Sequence, residues 1–244
     1  MTGDYVMFVD GDDFVERDYC KTALDLAIEH QVDIVAFGFN RYWSEKEKFV
    51  PRKTRKPRLM AKNDAIKELI LRRDAMYNYV WNKIFASNLF DGIRFPIGRR
   101  FEDVAIMHHV FHKAKTGVYL SDDVLYNYRQ ERSGSITLSG RSSASIHDRY
   151  QNEVERMSFI RENYQDLERQ QFNALVGVCL LGLVFLPSGD KDKKEIKRFL
   201  ADNRKRCLQQ TIGKRKHRLE VYYYMRPLFP LVNYRMKRFY KTGK

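Results

Sequence analysis

Cysteine is scarce in this chain. Its 244 residues include three, Cys20, Cys179 and Cys207, far apart and in no CxxC pair. That excludes a zinc knuckle and a dithiol redox motif, and an odd count in a chain of this size fits a reducing compartment. Long apolar runs are lacking too. The longest, Ala174 to Leu186, is uncharged but falls short of the ~20 residues a membrane-spanning helix needs, so it reads as a buried core helix. The run after Met1-Thr2-Gly3-Asp4 is too short for a secretory signal. Acidic residues are outnumbered: 31 Asp and Glu stand against 45 Lys and Arg, a formal net charge of +14. Such an excess favours phosphates, nucleic acid or an acidic membrane face, and composition alone does not choose among them.

What is present suits a packed fold. Hydrophobic residues make up 43% of the chain, and 16 Phe with 15 Tyr predict an aromatic-rich interior. The length fits one large domain, or one domain with an appended helical region. Tyr5-Val6-Met7-Phe8-Val9 is continuously apolar, the pattern of a central strand in a parallel sheet. Helical spacing follows over Phe14–His30, and a second strand over Val32–Phe39. Strand, acidic turn, helix and strand make one crossover unit. Residues 41–60 predict a loop or hairpin. Asn63 is placed to cap a helix over Asp64–Arg73. A short helix is expected over Trp81–Ser87 and a longer one over Glu102–Lys115. Two short strands follow, Val118–Leu120 and Val124–Arg129. The Ser-, Gly- and Arg-rich stretch from Arg132 to Ser145 marks an internal boundary. Beyond it, Ile146–Tyr164, Leu167–Leu186 and Lys191–Gln210 read as helices.

Asp10-Gly11-Asp12-Asp13 sets three carboxylates past the carboxyl end of the first strand, where open α/β sheets place their ligands. Carboxylates suit a hard divalent ion, Mg²⁺ or Mn²⁺, that also holds phosphate oxygens. An Asp-rich turn capping the next helix explains the same residues. An EF-hand is excluded, since Phe14 occupies its fifth position and the required glycine is missing. His108 and His112 share a helical face, but no HExxH pattern surrounds them, so they read as packed or solvated.

The string from Gly3 to Asp13 resembles the strand and Asp-x-Asp motif of family 2 glycosyltransferases. Three further blocks match that family in order. They are Trp81-Asn82-Lys83-Ile84-Phe85; Ile93-Arg94-Phe95-Pro96 with Phe101-Glu102-Asp103-Val104; and Tyr126-x-Tyr128-Arg129-Gln130 with Gly134-Ser135-Ile136-Thr137. The resemblance covers roughly residues 3–140. It implies an α/β fold: a partial GT-A domain, Rossmann-like with a mostly parallel sheet, over residues 1–140, then a basic helical region over 141–244. It also implies that the first strands of the family, which hold the base and ribose contacts, are absent here.

The resemblance further implies an inverting, metal-dependent transferase that moves a sugar from a nucleotide-sugar to an acceptor hydroxyl in cell-surface polysaccharide synthesis. Asp12 and Asp10 would hold Mn²⁺ or Mg²⁺, with Asp10 near the ribose and Asp13 assisting substrate binding. Asp103, paired with Glu102, would be the catalytic base. The bare residues allow another reading, in which both acids only stabilise a helix N-terminus. Arg129 is expected on diphosphate oxygens, or else solvated at a strand end. Trp81, Asn82 and Lys83 are expected to shape the acceptor side, with core packing the bland alternative for Trp81.

Cationic clusters at Lys193-Lys194, Lys197-Arg198, Arg204-Lys205-Arg206 and Lys214–Arg218 precede Tyr222-Tyr223-Tyr224-Met225, Phe229, Tyr234, Phe239 and Tyr240. Basic groups with interfacial aromatics suit an anionic membrane face. The enzyme would then be cytoplasmic, peripheral on the inner membrane face and close to a glycan or lipid-linked acceptor. A solvated cationic helix is the plain alternative, and no RNP-type or helix-turn-helix signature supports nucleic acid. The competing functional class is a non-catalytic remnant, or half of a split enzyme, that binds membrane or a partner through this tail.

Overall fold

The computed structural model describes residues 2–43, 47–52, 54, 56–73, 76–130, 142–225 and 229. The chain divides into two compact units, Met1–Leu138 and Ser139–Lys244.

The first unit is built on a seven-stranded sheet. Its strands are β1 (Tyr5–Met7), β2 (Phe14–Val15), β3 (Ile34–Trp43), β4 (Lys48–Arg52), β5 (Arg58–Met60), β6 (Lys83–Ala86) and β7 (Val118–Arg129). The order is β1-β6-β3-β7-β2, with β4 on β3 and β5 on β7. Three helices accompany it: α1 (Tyr19–Glu29), α2 (Lys62–Leu71) and α3 (Glu102–Lys113). The α/β class expected from sequence holds, but the sheet is mixed. Among the described residues β3–β7 is the parallel pairing, and the others run antiparallel.

The sheet's centre follows from sequence. Ile34 to Phe39 of β3 are buried without a break, as a strand covered on both faces requires. On one face, α1 inserts Tyr19, Ala23 and Ala27 at helical spacing. The single proton of the Tyr19 hydroxyl is shared between the carbonyls of Trp81 at 2.9 Å and Phe8 at 3.1 Å. That one side chain ties the end of β1 to the segment leading into β6.

Several expected elements moved. β1 is shorter than predicted and pairs antiparallel with β6, Tyr5 opposite Ala86, so it is not a central parallel strand. Trp81–Ser87 is not a helix. Lys83–Ala86 lies between β1 and β3 as a strand, and a 3-10 turn follows at Ser87–Phe90. A four-residue apolar run has no periodicity of its own, and the two flanking strands decide it. The predicted loop or hairpin is the β3–β4 hairpin. The two short strands after α3 are one strand, β7, with irregular register against β3 near Gly38. Helix α2 begins at Lys62 with Ala61 as its cap, and Asn63 lies inside it.

The second unit is helical, as expected: α4 (Ser143–Asn163), α5 (Glu168–Phe185), α6 (Lys191–Asp202), α7 (Arg204–Gln210) and α8 (Gly213–Tyr224). The apolar run Ala174–Leu186 forms the middle of its core. Phe172, Leu175, Val176, Cys179, Leu180 and Leu183 of α5 pack against Ile146, Met157, Ile196, Leu200 and Leu219. Within this core Arg156 is fully buried. Its guanidinium donates to Glu153 Oε2 at 2.6 Å and to Gln171 Oε1 at 2.9 Å, and Gln171 donates to the same Glu153 carboxylate at 2.8 Å. The triad joins α4 to α5. Removing the cation from such a pair strands a buried carboxylate. Arg156→Ala is therefore expected to lose about 3–5 kcal/mol of unfolding free energy in urea. Pairing Arg156→Met with Glu153→Leu should recover most of it, which a pure packing loss would not do.

Candidate active site

The turn after β1 is fastened to β7 from across the sheet. Within the turn, the Asp13 amide donates to the Asp10 carbonyl at 3.1 Å. Both oxygens of the Asp13 carboxylate are then taken. Oδ1 accepts from the Arg129 amide at 2.8 Å, and Oδ2 accepts from the Tyr126 hydroxyl at 2.8 Å. That hydroxyl accepts in turn from the Asp10 amide at 3.1 Å. The Arg129 side chain closes the clamp, its Nε donating to the Asp12 carbonyl at 2.9 Å. Its guanidinium lies over the Phe14 and Tyr42 rings. Arg129 is thus held at the acidic turn and is not a loose residue at a strand end.

One carboxylate oxygen from each of Asp10, Asp12 and Asp13 lies within 4.8 Å of the others, and among the described residues this is the one such group of potential metal ligands. The Asp10 and Asp12 side chains are exposed. Partial burial pushes the Asp10 carboxyl above the ordinary range, with Asp13 and then Glu102 adding to the effect. Asp13 is also pushed up, mainly by burial, against the pull of its Arg129 and Tyr126 hydrogen bonds. Three hard oxygen donors this close, with their negative charges working against one another, fit a divalent cation of the Mg²⁺ or Mn²⁺ kind.

The second acidic stretch opens α3. Phe101, immediately before it, takes a left-handed backbone with φ of 58°, a strained setting for an aromatic residue and one found most often at functional sites. Glu102 and Asp103 fill the first helical turn. Asp103 Oδ1 accepts from the Val104 amide at 2.7 Å. Burial pushes the Asp103 carboxyl up to about 6; the Val104 hydrogen bond opposes this, Glu102 adds to it, and Arg72 and Lys83 reduce it. Because Asp10 is raised by Glu102, the two acidic stretches share one field although over 90 residues separate them in sequence.

The block Trp81-Asn82-Lys83 is packed inside the first unit. Trp81 is 5% exposed, and Asn82 and Lys83 are fully buried. Trp81 stacks on Tyr79 at 4.6 Å and on Tyr126 at 4.4 Å between ring centroids. Asn82 donates to the Phe37 carbonyl at 3.0 Å. The Lys83 ammonium donates to the carbonyls of Tyr77 and Tyr79, each at 2.7 Å, and to Asn82 Oδ1 at 2.6 Å. Burial lowers its pKa to about 7, while Asp103 favours the charge. Three acceptors use all three N–H groups of an ammonium, so the cation is the form that fits. These residues hold the segment from Tyr77 to Lys83 in shape. Their polar groups are used within the chain, and the burial of Trp81 agrees with the packing alternative.

Sequence reasoning passed over Tyr126, the residue that links Asp10 to Asp13, and also Tyr79, Arg72 and Arg41. The Tyr126-x-Tyr128-Arg129 block was the available signal for the first. Its alternation along β7 puts Tyr126 and Tyr128 on one face and Arg129 on the other. His108 is buried and its ring lies 4.1 Å from that of His109, a packed histidine as expected. The segment Gly134-Ser135-Ile136-Thr137 lies outside the described residues.

Comparison with known proteins agrees with this geometry. Over 144 residues the chain is 32% identical to the glycosyltransferase GlyA of Streptococcus pneumoniae serotype 4, covering 56% of this chain and 20% of that protein. It is 31% identical over 139 residues to the uncharacterized glycosyltransferase EpsJ of Bacillus subtilis, covering 55% of this chain and 40% of that protein. The chain thus spans less than half the length of these curated relatives. Among solved structures, the 1–349 segment of TarS from S. aureus covers all of this chain and 68% of its own length, with a TM-score of 0.57 at 16% identity. The same segment solved with UDP-GlcNAc gives 0.55. At that identity the likeness is one of fold, and TarS shares this α/β arrangement with its helical C-terminal region. A family model described as glycosyl transferase family 2 matches residues 1–100, and in this part the chain is similar to that family.

Proposed function

We propose that this chain carries the metal and acceptor side of an inverting glycosyltransferase that uses a nucleotide-sugar and Mn²⁺ or Mg²⁺ in cell-surface polysaccharide synthesis. One observation carries the reading: a carboxylate oxygen from each of Asp10, Asp12 and Asp13 lies within 4.8 Å of the others in the turn after β1, and Glu102 adds to the raising of Asp10. The curated relatives are named glycosyltransferases, and TarS was solved with UDP-GlcNAc, which makes that compound the first donor to test.

In this reading Asp12 and Asp10 hold the ion, and Asp13 holds the turn in shape. When bound, the ion supplies positive charge that offsets the charge of a departing diphosphate. Arg129 stands beside the same turn, where a guanidinium pairs with diphosphate oxygens. Asp103 accepts the proton of the acceptor hydroxyl as that oxygen bonds to the anomeric carbon. The bond from that carbon to the diphosphate oxygen breaks with its electron pair leaving on the diphosphate, and configuration inverts.

A basic surface favours a membrane location for this chemistry. On α6, Lys194, Lys197 and Arg198 are exposed opposite the buried Ile196 and Leu200. On α8, Lys214 and Lys216 are exposed, and Ile212, Tyr224 and Met225 expose apolar surface beside them. No helix among the described residues is long and apolar enough to cross a membrane, so contact would be peripheral. Tyr234, Phe239, Tyr240 and the arginines and lysines among them lie outside the described residues.

Three outcomes are expected. Asp12→Ala should abolish Mn²⁺-dependent binding of UDP-GlcNAc in calorimetry, whereas Asp103→Asn should keep binding and lower turnover by about 10²–10⁴; equal turnover in Asp103→Asn would defeat its role as base. The second concerns pH. The folded-state pKa of Asp103 is raised from 3.8 to about 6, so the folded chain holds the extra proton between those values and loses stability as pH rises through them. The catalytic carboxylate forms over the same range. Turnover should therefore rise with a midpoint near 6, and the stability of Asp103→Asn relative to the unmodified chain should improve from pH 4 to pH 7. The third is flotation with anionic liposomes: reversing Lys214 and Lys216 to Glu should weaken binding by about tenfold or more, since each basic group near such a surface contributes ~1 kcal/mol. Unchanged flotation would end the membrane reading.

A further inference from the structure

Arg41 has no part in the site described so far. It lies on β3 in register with Tyr128 of β7, two residues beyond the Phe39–Tyr126 pair. Residues two apart along a strand share a face, so Arg41 rises from the face that carries Tyr126 and Tyr128. Its Nε is closed off from solvent, yet it meets no hydrogen-bond partner among the described residues. Buried polar atoms are nearly always paired, and an exception at a candidate site points to an occupant.

The surroundings indicate what kind. Burial holds the half-buried Tyr79 hydroxyl above the usual tyrosine range; Tyr128 and Asp103 add to this, while Arg41 and Arg72 oppose it. Asp103 feels Arg72 as well. Arg41, Arg72, Tyr128 and Asp103 thus all act on the charge state of Tyr79. Stacked rings join that group to β7: Tyr77 on Tyr79 at 5.3 Å, Tyr79 on Trp81 at 4.6 Å, and Trp81 on Tyr128 at 5.5 Å. Arg41 and Arg72 bring two guanidiniums to this group, and Asp103 with its neighbour Glu102 brings two carboxylates. Planar forks of this kind match a phosphate or carboxylate. The donor diphosphate already has Arg129, which registers with Tyr42 and so stands on the opposite face from Arg41.

We propose that Arg41 and Arg72 form an anion subsite for the acceptor, so that the molecule receiving the sugar carries a phosphate or carboxylate beside its reacting hydroxyl. The inference rests on the transferase reading in which Asp103 is the base.

The test titrates the full chain, free of divalent ions, with sn-glycerol 3-phosphate, with glucuronate and with neutral glycerol, following the fluorescence of Trp81 in a Trp43→Phe background. At least one anion should bind tenfold or more tighter than glycerol, and the tighter of the two names the acceptor's charged group. Arg41→Gln and Arg72→Gln should each weaken that binding fivefold or more, with Arg41→Lys intermediate. Mn²⁺-dependent UDP binding should be unchanged in Arg41→Gln, which also shows that the variant folds. Equal binding of all three compounds would overturn the proposal, as would an Arg41→Gln variant that loses UDP and the anion alike, since that places Arg41 on the donor. Anion binding as expected in a chain that shows no Mn²⁺-dependent UDP binding would support the subsite and defeat the donor half of the transferase reading.

Discussion

Two hydrogen bonds to Asp13, from the Tyr126 hydroxyl and the Arg129 amide, hold the acidic turn in place, and the site depends on them. A turn with three neighbouring carboxylates resists its own compaction, because each charge raises the cost of the next. The bonds to β7 offset that cost at Asp13. Asp10 and Asp12 are left exposed. Within four residues, Asp13 is bonded into the scaffold while Asp10 and Asp12 stay exposed.

Burial does similar work at the second acidic stretch. Asp103 is pushed up to about 6 because it is withdrawn from water, and Lys83 beneath it is drawn down to about 7 for the same reason. The lysine is retained because three oxygens of the chain need its protons. It fixes the segment that carries Tyr79 and Trp81, and through them the aromatic stack that reaches β7. Packing, charge and the proposed acceptor chemistry therefore rest on one buried ammonium whose direct contacts are all internal.

The parts legible in the sequence were those with local signals. The apolar run of β3, the helical spacing of α1, α3 and α5, and the acidic cluster at residues 10–13 each carry their own pattern. Pairing does not. Nothing within Lys83–Ala86 announces a strand, since its conformation is imposed by β1 and β3 on either side, and β1 itself reads as central while lying at the end of the sheet order. The surroundings of Trp81, Asn82 and Lys83 were out of reach for a related reason. Polar residues in a motif look like ligand contacts until their partners are known, and those partners are carbonyls at Phe37, Tyr77 and Tyr79. Arg41 escaped notice because its meaning comes from Tyr128, far along the chain and beside it only in the folded sheet.

The central claim is that the two acidic stretches act on one ligand space. Carbon-detected NMR titration of the Asp103 carboxyl tests it directly. Without divalent ions the midpoint should lie near 6. Saturating Mg²⁺ should move it to lower pH, and Asp12→Ala should remove that shift. A midpoint indifferent to Mg²⁺ would mean that the acidic turn and Asp103 serve separate places, and the account would fail.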